Sequence, residues 1–561
     1  MKSLQEYVEL VYKANITLEE MISFFPKTEQ DVKTLIAYCI QSTINLKAEV
    51  LSISPSTRTF ENTIRQFDCI YFQQVLVGNI LYLLTNVITE PKLSTQLKES
   101  LKELLTFAST LNYDQKIYQS FQEYMDNGFK QEATILNNES KYFIMELQAF
   151  FKRKGFNLKK EEFDQIRHCL NEQEILSKKF ENNVSDDNKT LSAKTEELKG
   201  LSQAFIHTLK KNSDGECILT LDFPTYAEII SHCDSEEIRK KCYLLYNERG
   251  YPSNASILEK MHTISEQLAK LCGFPNFSCY DISKAMAKTP EAVKCFYKRI
   301  STGIQKKETS EIKLLLSSID SKLYTDKDGK IYPWSMHYLM KQYESKYLKV
   351  DDREVANYFE AEKTLNGIFS IYQTFLSLKF SIVKPVWIWH EDVMTIKVEN
   401  NDGKVLYGYV FLDLYPRPHK YTHGMCSPIK NGIKKNGILY PTFTSIIVNL
   451  PKPTNDLPAL WKFNDVNTFF HEFGHAIHTI LSKTEMYKFS GFNVKDDFIE
   501  TPSQMFEKWI SDKDVIRSLS SNYLTGKHMP DEMIDKLLTI SKGYIGIIGL
   551  GTMCRLSLIH I

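Results

Sequence analysis

Hydrophobic residues recur at helical spacing through most of the first 225 residues. Apolar side chains return every three or four positions in Leu93–Phe107 and in Tyr142–Phe151. Leu, Ile, Lys, Glu and Gln dominate this part of the chain and proline is rare, which favours helix over strand. The pattern therefore predicts a mainly α-helical N-terminal region.

The pattern changes within Ile382–Val410, where β-branched and aromatic residues replace the helical repeat. The sequence Asn400-Asn401-Asp402-Gly403 is typical of a turn, and Val405–Leu412 follows it as the second strand of a hairpin. Pro441–Leu450 has the composition of a further strand. These segments predict a small β-sheet within a mainly α chain.

Helical spacing returns after Asn464, and either Asn464 or Asp465 is placed to cap the new helix. Its apolar positions are Val466, Phe469, Phe470, Phe473, Ile477, Ile480 and Leu481. His471, Glu472 and His475 interrupt them with the spacing His-Glu-x-x-His. Residues four apart on a helix are separated by about 40°, so the two imidazoles share a face. They can bind one Zn²⁺, and Glu472 beside them is placed to act as a general base towards water.

A catalytic zinc site takes three protein ligands and leaves a further position open. His478 and Leu481 stand where a metzincin would carry Gly and His, so that arrangement is excluded. The third ligand should therefore be a carboxylate further along the chain. The candidates are Asp496, Asp497 and Glu500, and the residues alone leave the choice among them open.

A resemblance to a known family makes that choice. His471–His478, then Ser490-Gly491, then Asp497–Trp509 closely resemble the corresponding segments of the thimet oligopeptidase family of zinc metallopeptidases. The family includes thimet oligopeptidase, neurolysin, oligopeptidase A, dipeptidyl carboxypeptidase and mitochondrial intermediate peptidase. The resemblance implies that Glu500 is the third ligand of one Zn²⁺ per chain, and that Glu472 is the catalytic base.

The same resemblance implies a fold and a substrate class. We expect a mainly α, two-lobed zincin peptidase with a small β-sheet and a deep substrate channel that admits short unstructured peptides. The expected activity is zinc-dependent endopeptidase cleavage of such peptides. The alternatives are an inactive or weak peptide-binding homologue, a presequence-processing peptidase, a dipeptide-releasing exopeptidase, or a helical scaffold that carries the motif by chance.

Family-like segments become dense after residue 225. We therefore predict an N-terminal helical region, residues 1–225, and a zinc peptidase catalytic region, residues 226–561. Family members continue beyond the point that corresponds to Ile561, with helices that carry a Tyr on the oxyanion side. The expectation is a catalytic region that is incomplete and impaired at its C-terminus, with apolar residues that lack partners: Ile545, Ile547, Ile548 and Leu550.

Other histidines are weaker candidates. His390, His419 and His423 lack helical pairing and are expected in loops or at the surface. His478 lies seven residues after His471, on the same side of the helix, and either contacts substrate or packs. Phe492 stands where relatives usually carry a small polar residue, so the shape of that subsite is open.

Charge, cysteine content and the N-terminal residues limit which kinds of partner and which cellular compartment we expect. The 69 basic and 69 acidic side chains balance, so the charge favours neither a nucleic acid nor a membrane surface as partner. Met1–Ile16 resembles neither a secretory signal nor an Arg-rich transit peptide. The 11 scattered Cys residues indicate reduced thiols. We expect a monomer that meets short peptides in the cytoplasm rather than in the mitochondrion.

Overall fold

Two compact units make up the computed structural model, which describes residues 3–317, 324–454, 457–549 and 551–552. The first unit comprises Met1–Leu158 and Asp352–Ile534, and the second comprises Lys159–Asp351 and Asp535–Ile561. The chain thus leaves the first unit and later returns to it. The boundary at residue 225 was drawn from the density of family-like segments, and it stays a prediction about sequence regions.

Helices fill the first 158 residues, in agreement with the predicted helical spacing. Thr17 and Thr28 cap the second and third helices, and each side chain accepts the backbone N–H of the residue three positions on. The helices are α1 Leu4–Val11, α2 Leu18–Ile22, α3 Glu29–Ser52, α4 Arg65–Val87, α5 Pro91–Leu111, α6 Gln115–Asp126, α7 Gly128–Glu132 and α8 Asn138–Arg153.

Helix α4 forms the centre of this helical region. A π-helical turn, Phe60–Ile64, leads directly into it. The stretch Phe60–Val87 spans 28 residues and by length and composition alone could cross a membrane, yet 61% of its apolar window is buried inside the protein. Leu76, Ile80 and Leu84 lie in the core shared with α3 and α5. Its apolar composition is thus accounted for by packing within the first unit.

The second unit is also mainly helical. Strands β1 Thr190–Ala193 and β2 Cys217–Thr220 pair antiparallel and cover a core that includes Leu198, Ile229 and Ile238. Helices α9 and α13 pack against each other. The helices are α9 Lys160–Ser185, α10 Gln203–Thr208, α11 Phe223–His232, α12 Glu236–Asn247, α13 Ser253–Leu271, α14 Phe277–Ile282, α15 Pro290–Ser317 and α16 Pro333–Tyr343.

A five-stranded sheet lies in the returning part of the first unit, as the composition after Ile382 predicted. Its strands are β3 Leu378–Val383, β4 Met394–Asn400, β5 Leu406–Asp413, β6 Met425–Lys430 and β9 Thr442–Ile447. Between β6 and β9 the short strands β7 Lys434–Lys435 and β8 Ile438–Leu439 pair with each other in a separate two-stranded sheet. The sheet order is β3-β4-β5-β9-β6, and the pairs are antiparallel except β5 with β9. The predicted hairpin is confirmed, since Gly403 N–H donates to the Asn400 carbonyl at 2.9 Å in the turn between β4 and β5.

Further helices precede and follow these strands in the chain. They are α17 Asp352–Ala356, α18 Ala361–Leu376, α19 Phe463–Ile480, α20 Glu500–Glu507, α21 Lys513–Leu519 and α22 Asp531–Lys542. Helix α19 packs its apolar face on β9, β6 and β5. It also packs on α20. Of the C-terminal apolar residues, Ile545 and Ile548 are exposed and Ile547 packs against the cluster of Leu315, Met340 and Tyr544. Leu550 lies outside the described residues.

The end of β5 is fixed by a buried charge network around Asp413. Its carboxylate accepts hydrogen bonds from Nη1 and Nη2 of Arg417, each at 2.7 Å, and from Nε1 of Trp389 at 2.9 Å. Lys420 Nζ lies 2.9 Å from the same carboxylate and donates to the carbonyl of Val448 at 2.7 Å. All these partners are internal, which agrees with a structural rather than a catalytic role for Asp413 and Arg417.

Candidate metal centre

Helix α19 presents the His-Glu-x-x-His motif. Its apolar residues are buried, as the spacing predicted: Val466, Phe469, Phe470, Phe473, Ile477 and Ile480. The N-cap position is Lys462 rather than Asn464 or Asp465. Asp465 nevertheless contributes, because its carboxylate accepts the Lys462 N–H at 2.9 Å from the first turn. The helix is therefore rigidly held by its buried face, and His471 and His475 project from it together.

Three candidate ligand atoms converge beside this helix. Glu500 Oε2 lies 3.2 Å from His471 Nε2 and 3.1 Å from His475 Nε2. In the described residues, His471, His475 and Glu500 are the one group of at least three His, Cys, Asp or Glu side chains that could hold a metal ion, with the ligand atoms within 4.8 Å of one another. Asp496 and Asp497, the competing carboxylates, do not belong to this group.

The start of α20 presents Glu500. Two possibilities were open from sequence, a helix that Thr501-Pro502 begins or one that kinks at Pro502. Instead α20 starts at Glu500, so Pro502 sits in the first turn, where a missing N–H costs no helical hydrogen bond. Ser503 Oγ donates to Glu500 Oε2 at 2.8 Å and orients the carboxylate.

Gly474, inside the motif, allows the two helices to approach. A Cβ at this position would stand 3.0 Å from Ser503 Cα and 3.1 Å from Phe506 Cδ2. Such contacts are tighter than ordinary van der Waals contacts, so the helices could not pack this closely around a larger residue. The close approach brings the Glu500 carboxylate to the imidazoles.

Glu507 is a functional residue that the sequence analysis did not assign. Its Oε1 lies 2.5 Å from His471 Nδ1, the nitrogen that faces away from Glu500. This hydrogen bond raises the pKa of His471 above its ordinary value. A carboxylate in this position fixes the ring orientation and the tautomer of a metal-binding His. The signal in the sequence is its spacing, since Glu507 lies seven residues, or two turns, after Glu500.

His475 has a different environment. Burial lowers the pKa of His475, which favours the neutral imidazole that binds metals. Its Nδ1 is buried and, among the residues that the structure describes, has no hydrogen-bond partner. The ring of Phe492 contacts the His475 ring, with centroids 5.7 Å apart. Phe492 thus lies beside a candidate ligand.

Glu472 lies next to the convergence point without joining the ligand group. It is 8% exposed, and burial raises the pKa of its carboxyl to about 7. The N–H of Cys426 on β6 donates to this carboxylate, and a Cβ on Gly424 would stand 3.2 Å from Glu472 Oε1. The predicted base is therefore flanked by β6, which is the last strand of the five-stranded sheet in the described part of the chain.

The remaining histidines lie outside the ligand group. His390 Nδ1 accepts the N–H of Asp392 at 3.2 Å in its own loop. His419 has a left-handed backbone conformation, with φ of 65°. His478 is half-buried on α19, and burial lowers its pKa. A contact between His478 and substrate stays a prediction.

The donor set fits a divalent transition metal. Two imidazole nitrogens and one carboxylate oxygen are the ligands that catalytic zinc sites use. One imidazole carries the outer carboxylate typical of such sites, and the other is held neutral by burial. The residues present therefore match the metal that the motif implies.

Comparisons with known proteins identify the family that this chain resembles. A profile of peptidase family M3 matches residues 229–546, more than half of the chain. Thimet-like oligopeptidase of Dictyostelium discoideum is 28% identical over 539 residues, which cover 93% of this chain and 79% of the relative. Oligopeptidase A of Escherichia coli K12 is 26% identical over 480 residues, 82% of this chain and 69% of the relative.

A solved structure is similar in fold. The chain described as an oligoendopeptidase F from Bacillus anthracis superimposes with a TM-score of 0.51 at 14% identity, over 93% of this chain and 75% of that one. The expected mainly α fold with a small β-sheet and the predicted family are both confirmed. The chain belongs to peptidase family M3, a family of metallopeptidases, and is an oligopeptidase.

Proposed function

We propose that this oligopeptidase binds one Zn²⁺ through His471, His475 and Glu500 and hydrolyses short peptides with Glu472 as general base. The observation that carries the proposal is the convergence of His471 Nε2 and His475 Nε2 on Glu500 Oε2, at 3.2 and 3.1 Å. A buried carboxylate that could move a proton lies on the same helix.

The chemistry divides between the metal and the protein. When bound, zinc supplies a Lewis acid that polarises the peptide carbonyl and lowers the pKa of a water molecule towards about 7. Glu472 takes the proton from the attacking water and then donates it to the leaving amine nitrogen. Burial raises the pKa of this carboxyl and so makes the carboxylate a better acceptor for the proton of water. Glu507 holds the Nδ1 proton of His471 and so keeps its Nε2 turned towards the site.

Strand β6 is the element best placed to align a peptide. It ends the sheet in the described residues, and its Cys426 N–H already reaches Glu472. An extended peptide that pairs with a sheet edge gains backbone hydrogen bonds that depend little on its sequence. Pairing along β6 would bring a scissile carbonyl close to Glu472, which suits an enzyme that accepts varied peptides.

We infer that the substrates are short and unstructured, that the enzyme acts as a monomer, and that it works in the cytoplasm. The support is the family of oligopeptidases to which the chain belongs and its balanced charge. Neither nucleic acid nor a membrane surface is part of the proposed function.

Zinc analysis combined with peptide cleavage tests the proposal. The purified protein is analysed for zinc and then given quenched fluorescent peptides of graded length, with denatured casein as the long substrate. We expect about one zinc per chain and cleavage that falls steeply with peptide length. A protein with stoichiometric zinc and no turnover would be a peptide-binding homologue. Absence of stoichiometric zinc, or efficient digestion of casein, would contradict the proposal.

A further inference from the structure

Carboxylates on the N-terminal helices hold the segment that joins the two metal-binding helices. Glu139 on α8 accepts the backbone N–H of Glu485 and of Met486, each at 2.8 Å. Asp68 on α4 accepts the N–H of Tyr487 at 2.7 Å and of Lys488 at 2.8 Å. Four consecutive backbone N–H groups of this segment are thus bound by two carboxylates from two different helices.

Side-chain contacts attach further parts of the segment to the same helices. Lys495 Nζ lies 2.9 Å from both carboxylate oxygens of Glu146 on α8. Arg65 Nη1 donates to the Glu485 carbonyl at 3.2 Å. The Tyr487 ring stacks on Phe72 of α4, with centroids 3.6 Å apart. Residues 485–495, which we call the connecting segment, are therefore anchored at both ends by the first 158 residues, within the first unit.

The connecting segment sets the path from His475 to Glu500. It follows α19 and precedes α20 in the chain, so its position helps to decide where α20 begins. Gly491 lies so close to α19 that a Cβ there would stand 3.0 Å from Thr479 Cγ2, and Phe492 contacts the His475 ring. A shift of this segment would be transmitted to the third ligand or to the ring of the second.

One of the carboxylates that hold the connecting segment is buried, where desolvation makes a charged group unfavourable. Asp68 is 1% exposed, and burial raises the pKa of its carboxyl to about 6 although the N–H groups of Lys488 and Tyr487 lower it. A buried carboxylate is tolerated only because it is hydrogen-bonded, so its geometry is strictly fixed by its partners. Sites of this kind need their ligands held to within about 0.5 Å, and supporting residues supply that accuracy.

We propose, on the basis of the metal binding proposed above, that Asp68, Glu139 and Glu146 are positioning residues of the metal centre. They fix the connecting segment and thereby the separation of Glu500 from His471 and His475. They contact neither the candidate ligand atoms nor the reacting groups, and act through the backbone that they hold.

Zinc affinity is the measurement that separates positioning from general stability. The variants are Asp68→Asn and Glu139→Gln, with Glu123→Gln as matched control, since Glu123 pairs with Arg58 at 2.8 Å in the same helical region. Zinc dissociation constants come from chelator competition, with circular dichroism as the check of folding. We expect the first two variants to bind zinc about tenfold more weakly or worse, as outer-sphere substitutions do, and the control to match the parent.

A charge exchange supplies the rescue. Glu146→Lys and Lys495→Glu should each weaken zinc binding, and the double variant should recover much of the parent affinity. This pair remains informative if Asp68→Asn fails to fold, because its side chains are 28% and 24% exposed. The inference would be overturned if folded Asp68→Asn and Glu139→Gln variants bound zinc as tightly as the parent, or if the double variant bound it no more tightly than the single variants. Either result would leave the proposed function standing. A parent that binds no zinc would overturn both.

Discussion

Gly474 of α19 packs so closely on Ser503 of α20 that a Cβ at position 474 would stand 3.0 Å from the Ser503 Cα. Gly474 immediately precedes the candidate ligand His475, and Ser503 orients the candidate ligand Glu500. This tight contact between the two helices therefore lies beside two of the three candidate ligands.

Gly474→Ala should weaken zinc binding. The added methyl group favours the helix by about 1 kcal/mol, but overpacking of a tight contact typically costs about 1–3 kcal/mol. We expect α20 to shift, with a lower melting temperature and several-fold weaker zinc binding. Gly78→Ala in α4 is the control, because the nearest atom to its Cβ would be 3.8 Å away and the substitution should stabilise the protein. An equal increase in melting temperature in both variants would show that α19 and α20 can separate without cost, and would contradict the prediction.

Glu472→Gln should abolish peptide hydrolysis without loss of zinc. The amide retains the size of the side chain and leaves all three ligands, but it accepts no proton from water. Loss of a general base typically lowers turnover by about 10²–10⁴-fold. Zinc content and turnover number measured on the same preparation check this. Near-parental turnover would exclude Glu472 as the base.

Glu500→Ala should release zinc at chelator concentrations that the parent tolerates. The substitution leaves two imidazoles, and a catalytic zinc site needs three protein ligands. Asp497→Ala is the matched control, since Asp497 lies outside the ligand group. Retention of zinc by Glu500→Ala together with its loss from Asp497→Ala would reverse the assignment of the third ligand.

Glu507→Gln should weaken zinc binding less than loss of a ligand does. Removal of an outer carboxylate from a metal-bound His costs about 10–100-fold in metal affinity. The amide can still accept a hydrogen bond from His471 Nδ1, so the lower end of that range is expected. Titration with a chelating dye compares this variant with Glu500→Ala. An effect as large as that of Glu500→Ala would mean that Glu507 itself binds the metal.

The ion pairs of Asp413 should make the first unit less stable as the pH falls into the acid range. Burial alone would raise the pKa of its carboxyl, but the hydrogen bonds with Arg417 and the charge of Lys420 hold it below the ordinary value of 3.8. The stabilisation is therefore present above pH 3.8 and is lost as the pH falls through the lower pKa of the folded state.

The matching variant is Asp413→Asn, which leaves Arg417 and Lys420 without their charged partner. Breaking a buried ion pair costs about 3–5 kcal/mol, so urea unfolding at pH 7 should show a large loss of stability. Across the acid range the variant should lose less further stability than the parent. Identical pH dependence in the two proteins would contradict this role of Asp413.

Local spacing was enough to find part of the site. His471 and His475 share a helix face wherever a helix forms, and the buried phenylalanines around them ensured that it would form. Asn400–Gly403 likewise marked its own hairpin. Such features depend on residues a few positions apart, and a single sequence contains all the information they need.

Contacts between distant segments were not predictable in this way. The choice of Glu500 over Asp497 came from resemblance, because both carboxylates are plausible on spacing alone. Glu507 was overlooked although its spacing from Glu500 was visible, since its partner His471 lies 36 residues earlier. The parallel pairing of β5 with β9 and the return of the chain to the first unit depend on tertiary packing, for which local pattern gives no signal.

The bond between Asp68 and the Tyr487 N–H joins residues 419 positions apart, and this separation has a consequence during synthesis. A ribosome that adds about 5–20 residues per second needs roughly 20–80 s to make the chain between them. Throughout that interval Asp68 on α4 lacks its backbone partners, and Glu139 lacks its own from the moment that α8 has been made. A chaperone or solvent must cover them, and the metal centre can form only after most of the polypeptide has been translated.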